Sequence, residues 1–273
     1  MRVSLKVATW NINSVRLRVG LVGRFLQDHA PDVLCLQETK CPDDSFPLSA
    51  FRKLGYEYIA VHGQKGYHGV AVVSRLPFEA REARRFCDKD DARHVAVTLT
   101  REAGAAAGIT LHNFYVPAGG DIPDPAQNVK FAHKLQFLDE MIAWGHRDKP
   151  AAGRSILVGD LNIAPLENDV WSHKQLLGVV SHTPVETEKL TVALEAAAWV
   201  DAVRTLRPEP EKVFTWWSYR AQEWEKSDRG RRLDHVWLSR QLEGSLVSTE
   251  IVRSARSWER PSDHVPVIVT LAL

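Results

Sequence analysis

Cysteine is scarce in this chain. There are three, Cys35, Cys41 and Cys87, an odd number with no CxxC pair. That excludes a disulfide framework and a paired-cysteine zinc site. Cys35 lies inside the apolar run DVLCLQ and reads as a buried thiol. No apolar run is long enough to span a bilayer, and no leader-like stretch precedes the first strand-like run. A reducing, cytoplasmic setting without a membrane partner is expected. HExxH, GxSxG and P-loop signatures are absent, which disfavours covalent serine or cysteine chemistry. An excess of one charge sign is missing too: the formal net charge is +1, so any contact with nucleic acid must come from local patches. Repeats, low-complexity segments and an obvious interdomain linker are also lacking.

What is present is an ordinary globular composition over 273 residues, enough to bury a sizeable core without disulfides. Ten runs have strand character: 5–12, 32–37, 56–62, 69–74, 94–100, 109–116, 155–160, 234–239, 246–252 and 264–273. Helical spacing of Leu17, Leu21, Phe25 and Leu26 marks a helix in 15–29. Phe131, Leu135, Leu138, Met141 and Ile142 mark another in 128–144, and a third is expected near 191–203. Strands with interspersed helices imply two packed sheets flanked by helices, in one domain covering 1–273. The runs 94–100 and 109–116, joined by a Gly/Ala-rich link, read as an antiparallel pair. The polar stretch 220–232 reads as a surface loop.

Polar residues sit at the ends of several buried runs, where a sheet edge meets solvent. Asn11 and Asn13 follow the first strand and share a face if the strand continues. Glu38 ends DVLCLQ; a carboxylate there must be solvated, paired (Lys40 is close in sequence) or bound to a metal. A hard cation takes one or two such carboxylates and keeps other positions for water or phosphate oxygen. Asp160 and Asn162 follow SILVG, where Gly159 permits close backbone approach. Asp234 opens DHVWLS, and Asp263-His264 opens the last strand. A histidine held by a carboxylate has its tautomer and orientation fixed. Tyr115 ends LHNFYV, where its hydroxyl can reach a phosphate. His94, His112 and His235 read as structural. Carboxylate, amide and imidazole at one sheet edge suit metal-assisted attack on a phosphate.

The series WNINSVR, LQETK, GVAVVSR, FYVPAGG, GDLNIAP, FTWWSYR, RLDHVWLS and SDHVP, spanning Trp10 to Val267, resembles the exonuclease III branch of the endonuclease/exonuclease/phosphatase superfamily. The resemblance implies a four-layer α/β sandwich, with two mixed β-sheets packed face to face and flanked by helices. It implies divalent-metal phosphodiester hydrolysis with Mg²⁺ (Mn²⁺ as the alternative). The substrate would be duplex DNA with abasic sites or 3′ ends, and 3′ phosphates would be trimmed. Glu38 would be the principal metal ligand, with Asn11 beside it and Asp263 as a second metal-side carboxylate; Asp160 and Asn162 complete that side. Asp160 would activate the attacking water, Asn162 would hold the water or phosphate, and His264, oriented by Asp234, would stabilise developing charge. Tyr115 would line the phosphate or assist the leaving oxygen.

Substrate contacts are expected from Asn13, Arg84, Arg93 and Trp217. Arg84 and Arg93 belong to a basic stretch with Arg81, Arg85 and Lys89. Lys130 with Lys134, and Arg229, Arg231 and Arg232, are further candidates for backbone phosphates. One of the adjacent Trp216 and Trp217 is expected to face a groove as a stacking platform, Trp217 being the expected one. His68 and Ala118 stand where relatives often carry Asn. A monomer is expected. The competing readings are the same chemistry on RNA or an inositol phosphate, and a non-catalytic DNA-binding relative.

Overall fold

The computed structural model of the chain describes residues 3–221 and 223–273; the side chains of Ala80 and Arg81 lie outside that description. Among the described residues, twelve strands form two six-stranded sheets. They are β1 (Ser4–Asn11), β2 (Val33–Gln37), β3 (Tyr58–His62), β4 (Val70–Ser74), β5 (Phe78–Glu82), β6 (His94–Leu99), β7 (Thr110–Tyr115), β8 (Ser155–Asp160), β9 (Trp199–Asp201), β10 (Asp234–Ser239), β11 (Leu246–Ile251) and β12 (Val267–Ala272). The first sheet has the order β11-β12-β1-β2-β4-β3 and the second β5-β6-β7-β8-β10-β9.

Each sheet is antiparallel except for one parallel pair near its centre, β1 with β2 and β7 with β8. The carboxyl ends of those four strands therefore emerge at one edge of the molecule. β10 runs antiparallel to β8 in a register that sets Asp234 opposite Asp160. Side-chain alternation then sorts the core. Val7, Cys35, Val70 and Val72 of the first sheet pack between the sheets against Val97, Leu111, Ile156, Val158 and Val236 of the second. A buried polar tie spans the same interface: Gln37 Nε2 donates to Asn113 Oδ1 at 2.7 Å, and Asn113 Nδ2 donates to the Leu36 and Ala71 carbonyls.

Helices cover the outer faces. Helix Val19–His29 buries Val22, Phe25 and Leu26 against the first sheet. It begins later than the spacing suggests: residues 15–17 form a turn and Arg18, at φ −119° and ψ 20°, is the N-cap. Helices Val129–Asp148 and Pro184–Ala196 cover the second sheet. The third helix thus starts before 191: Pro184 occupies its first turn, and a capping box joins Thr183 and Glu186. Its expected end at 203 is overturned by Ala198, left-handed at φ 57°, after which the chain forms β9 and a short helix Ala202–Leu206. Strands β5 and β9 were not anticipated: β9 has three residues, and β5 carries the charges of an edge strand. The 94–100/109–116 pair is antiparallel as expected. Within 220–232, Gln222 lies outside the described residues, 224–227 form a helical turn, and Arg232 is fully buried, so that stretch ends in core. No helix among the described residues is long and apolar enough to cross a membrane.

Candidate active site

The shared edge gathers the strand-end residues into one cluster. Asn11, last in β1, points its amide nitrogen at Glu38 Oε1 (2.9 Å), Asp160 Oδ2 (2.8 Å) and His264 Nε2 (3.4 Å). Residues separated by more than two hundred positions in sequence meet around this one atom. Glu38 takes φ 51° just beyond β2, which turns its side chain out of the sheet and into the edge. There it accepts from the Tyr115 hydroxyl at 2.8 Å and pairs with Lys40 at 2.8 Å. Asp160 ends β8. Gly159 before it takes φ 144° where a Cβ would run into the Phe114 carbonyl, so only glycine lets β8 lie this close to β7. Asn162, left-handed at φ 54°, donates its backbone N–H to Asp160 Oδ1 and its amide to Asp160 Oδ2 and the Val116 carbonyl.

His264 lies between two acids: Nδ1 is 2.8 Å from Asp234 Oδ2 and Nε2 is 3.6 Å from Asp160 Oδ2. Burial opposes its charge, but the Asp234 and Asp160 carboxylates overcome that and raise its pKa to about 10. Burial raises Asp160 to about 7, against the pull of His264 and with Asp234 adding to the rise. For Glu38, burial is outweighed by Lys40 and by hydrogen bonds from Asn11, Lys40 and Tyr115, and its pKa falls. Burial and the neighbouring Glu38 and Asp160 push the Tyr115 phenol well up, so it serves as a donor.

Asp160, Asp234 and His264 offer ligand atoms within 4.8 Å of one another, the composition of a metal site. In that trio His264 Nδ1 and Asp234 Oδ2 already engage each other at 2.8 Å. The oxygen donors nearer Glu38 fit a hard divalent cation better. The fold itself seats a positive charge there: Lys40 Nζ lies 2.8 Å from Glu38 Oε2 and 2.5 Å from Asn13 Oδ1. Asp263 stands beside them, accepting from Asn13 Nδ2 at 3.2 Å and from Trp216 Nε1 at 2.9 Å.

These groups open onto a cleft of about 700 Å³ whose lining includes Glu38, Asn162, Asp263, His264, Trp216 and Arg231. Asn13 reaches the edge through its left-handed turn rather than through strand pleating. Trp217 does not face the groove. It is wholly buried, with Nε1 bonded to Asp228, because the two neighbouring side chains point opposite ways and Trp216 takes the cleft side. Arg84 is also misplaced by the sequence reading. It lies beyond edge strand β5, ion-paired to Glu82 and Asp148, and lines a separate recess with Trp144 and Arg147. Arg93 packs its guanidinium 5.0 Å from the Tyr115 ring and lines a recess adjoining the cleft at Ala118 and Gly120. Lys134 and Arg232 are buried in ion pairs and offer nothing to a backbone phosphate. His68 lines the same recess as Arg93, and burial together with Arg93 depresses its pKa to about 4.

Two supporting residues escaped the sequence reading although both lie in quoted motifs. Thr215 donates to Asp234 Oδ2 at 2.6 Å and accepts from two backbone N–H groups, fixing the acid behind His264. Ser262 donates to the Asn11 carbonyl and accepts from the His264 N–H, tying the two ends of the chain together. A small hydroxyl carries no signal of its own in sequence.

Two mixed sheets that deliver acids, amides and a charged histidine to one cleft define a phosphoesterase-type α/β sandwich. The sequence matches the Endonuclease/Exonuclease/phosphatase family over residues 8–264, and the chain belongs to that family. It is 30% identical to exodeoxyribonuclease III of Haemophilus influenzae over 96% of this chain and 98% of that protein. Its fold matches an AP endonuclease from Archaeoglobus fulgidus, with TM-score 0.89, 30% identity, and coverage of 98% of this chain and 100% of the other. It equally matches a 3′ phosphatase from Neisseria bound to a product DNA hairpin, with TM-score 0.88, 29% identity, and coverage of 98% and 100%.

Proposed function

We propose that the protein is a DNA-repair nuclease, a single-domain hydrolase of the exodeoxyribonuclease III/AP endonuclease type. It acts as a monomer in the cytoplasm on duplex DNA, at abasic sites and 3′ ends. The observation that carries this reading is the meeting of Glu38, Asp160 and His264 around the Asn11 amide, within 3.4 Å.

Phosphodiester hydrolysis requires an anion to be attacked and an alkoxide expelled. Asp160, whose pKa is raised by burial, takes the proton of the attacking water, and Asn162 holds the carboxylate in line. His264, kept cationic by Asp234, donates from Nε2 to a phosphate oxygen as charge develops there. Asn11 keeps the acids from swinging apart. Tyr115 supplies a phenol hydrogen bond on the Glu38 side of the phosphate. Arg231, its guanidinium 5.2 Å from the Trp216 ring, brings positive charge to the same cleft. Glu38, Asp263, Asn13 and Asn11 would hold Mg²⁺, which when bound neutralises phosphate charge.

Cleavage of a fluorescent abasic-site duplex with Mg²⁺, compared with EDTA and with Mn²⁺, tests the proposal. Rapid metal-dependent strand cleavage is expected. Turnover of an inositol phosphate or RNA without cleavage of the abasic duplex would overturn the DNA assignment.

A further inference from the structure

Lys134 is the one lysine in the described core with a fully buried side chain. Its three ammonium hydrogens are all used, on Glu186 Oε1 (2.5 Å), the Asn162 carbonyl (2.9 Å) and the Ala118 carbonyl (3.3 Å). Glu186, also fully buried, uses its remaining capacity on the Ser181 and Thr183 backbone N–H groups and the Thr183 hydroxyl. Three separate loops that wall the cleft are thereby joined at one ion pair: 118–120, 162–164 and 179–183. The Ser181 carbonyl accepts in turn from the Ala164 N–H, and Arg231 bonds the Val180 carbonyl and the Ser181 hydroxyl. Gly119 packs so close that an added Cβ would lie 2.9 Å from Lys134 Cδ.

A buried ion pair rarely adds stability over an apolar pair of the same volume, because desolvation offsets the attraction. Its directional donors do what apolar side chains cannot, which is to hold carbonyls and amides of unconnected loops at fixed distances. Asn162 is the residue most in need of this, since its left-handed backbone has no strand partner and its side chain holds Asp160.

We propose that Lys134 and Glu186 are a positioning pair that clamps Asn162 and sets the width of the cleft between Ala118 and Val180. The inference rests on the phosphodiesterase reading above for its kinetic consequence, and on geometry alone for its structural one. Neither residue touches the reacting atoms. Their effect passes through Asn162 on one wall and through Ser181 and Arg231 on the other.

The experiment uses Glu186→Gln, which keeps an acceptor for Lys134, and the double variant Lys134→Met with Glu186→Gln, which removes both buried charges. For each, urea unfolding, affinity for an abasic duplex, kcat and backbone amide exchange are measured. The double variant leaves the Asn162 and Ala118 carbonyls without this donor, and is expected to stay folded but unfold at a lower urea concentration than the wild type. It should bind duplex within about threefold and lose on the order of 10–100-fold in kcat. Exchange should quicken at 162–164 and 180–183 while β1 and β8 stay protected. If the double variant fails to fold, Glu186→Gln carries the test, with a several-fold loss of kcat and the same exchange pattern. Folded variants with wild-type kcat and wild-type exchange overturn the clamp. A wild-type protein that leaves the abasic duplex intact overturns the nuclease reading instead, and the exchange pattern still decides the clamp.

Discussion

The Glu38 carboxylate pairs with one cation in the fold and would serve a second when metal binds. Lys40 neutralises one oxygen in the fold, and the proposed Mg²⁺ site needs the same group. Glu38→Ala should therefore lower kcat on the abasic duplex by 10³-fold or more, while a gel-shift Kd stays within a few-fold, since duplex binding rests on other groups. A parallel loss of binding would show that Glu38 only holds the fold. The two adjacent tryptophans make the opposite test. Trp216→Ala removes a cleft wall and the donor to Asp263, and should raise KM for abasic duplex about tenfold with little change in urea midpoint. Trp217→Ala empties a core position and should cost about 3–5 kcal/mol of stability. If the stability loss falls on Trp216 instead, the side assignment is wrong. At this scale the sequence was legible for types of residue and illegible for direction: no pattern in FTWWSYR tells which indole turns inward.

Strands β6 and β7 carry a histidine pair on their outer face. His94 Nε2 lies 3.3 Å from His112 Nδ1, packed against Phe114 and Trp144. Burial pushes His112 down to about 4 and His94 well below its ordinary value; for His94 the neighbouring His112 and Arg84 add to the effect. In the unfolded chain both titrate near 6.5, so below that pH the unfolded state binds more protons than the folded one. Their contribution is fully present above about 6.5 and is lost as pH falls toward 4 and below. Urea midpoints should drop steeply between pH 7 and pH 4.5, and His112→Leu should flatten that slope. A slope unchanged by the variant would place the acid sensitivity elsewhere. Strand alternation in HVAVTL and TLHNFY made both strands readable, and the bland role given to these histidines agrees with their burial. The break at Ala198 was not readable, because a left-handed residue without glycine leaves no mark in sequence.

For the whole molecule, a net charge of +1 means that DNA must be met by a local basic rim, Arg229 and Arg231 at the cleft and Lys89 and Lys130 in the recess beside it, since Arg93 is buried in an ion pair with Asp91. About four phosphate contacts give a slope of roughly −3.6 in log K against log salt, so affinity should fall about 10²-fold between 50 and 200 mM salt. A flat response would mean that this rim does not meet the backbone. Sequence by itself determined which residues line up at strand ends, the two-sheet class and the acid–amide–histidine inventory, because alternation and strand-end chemistry are local properties. Tertiary structure alone decided that residues as distant as Asn11 and His264 surround one point, that Lys134 is core and Trp216 cleft, and that Arg84 lies off the site. Those outcomes depend on strand order and register, and contacts between distant segments are fixed only when the sheets close on one another.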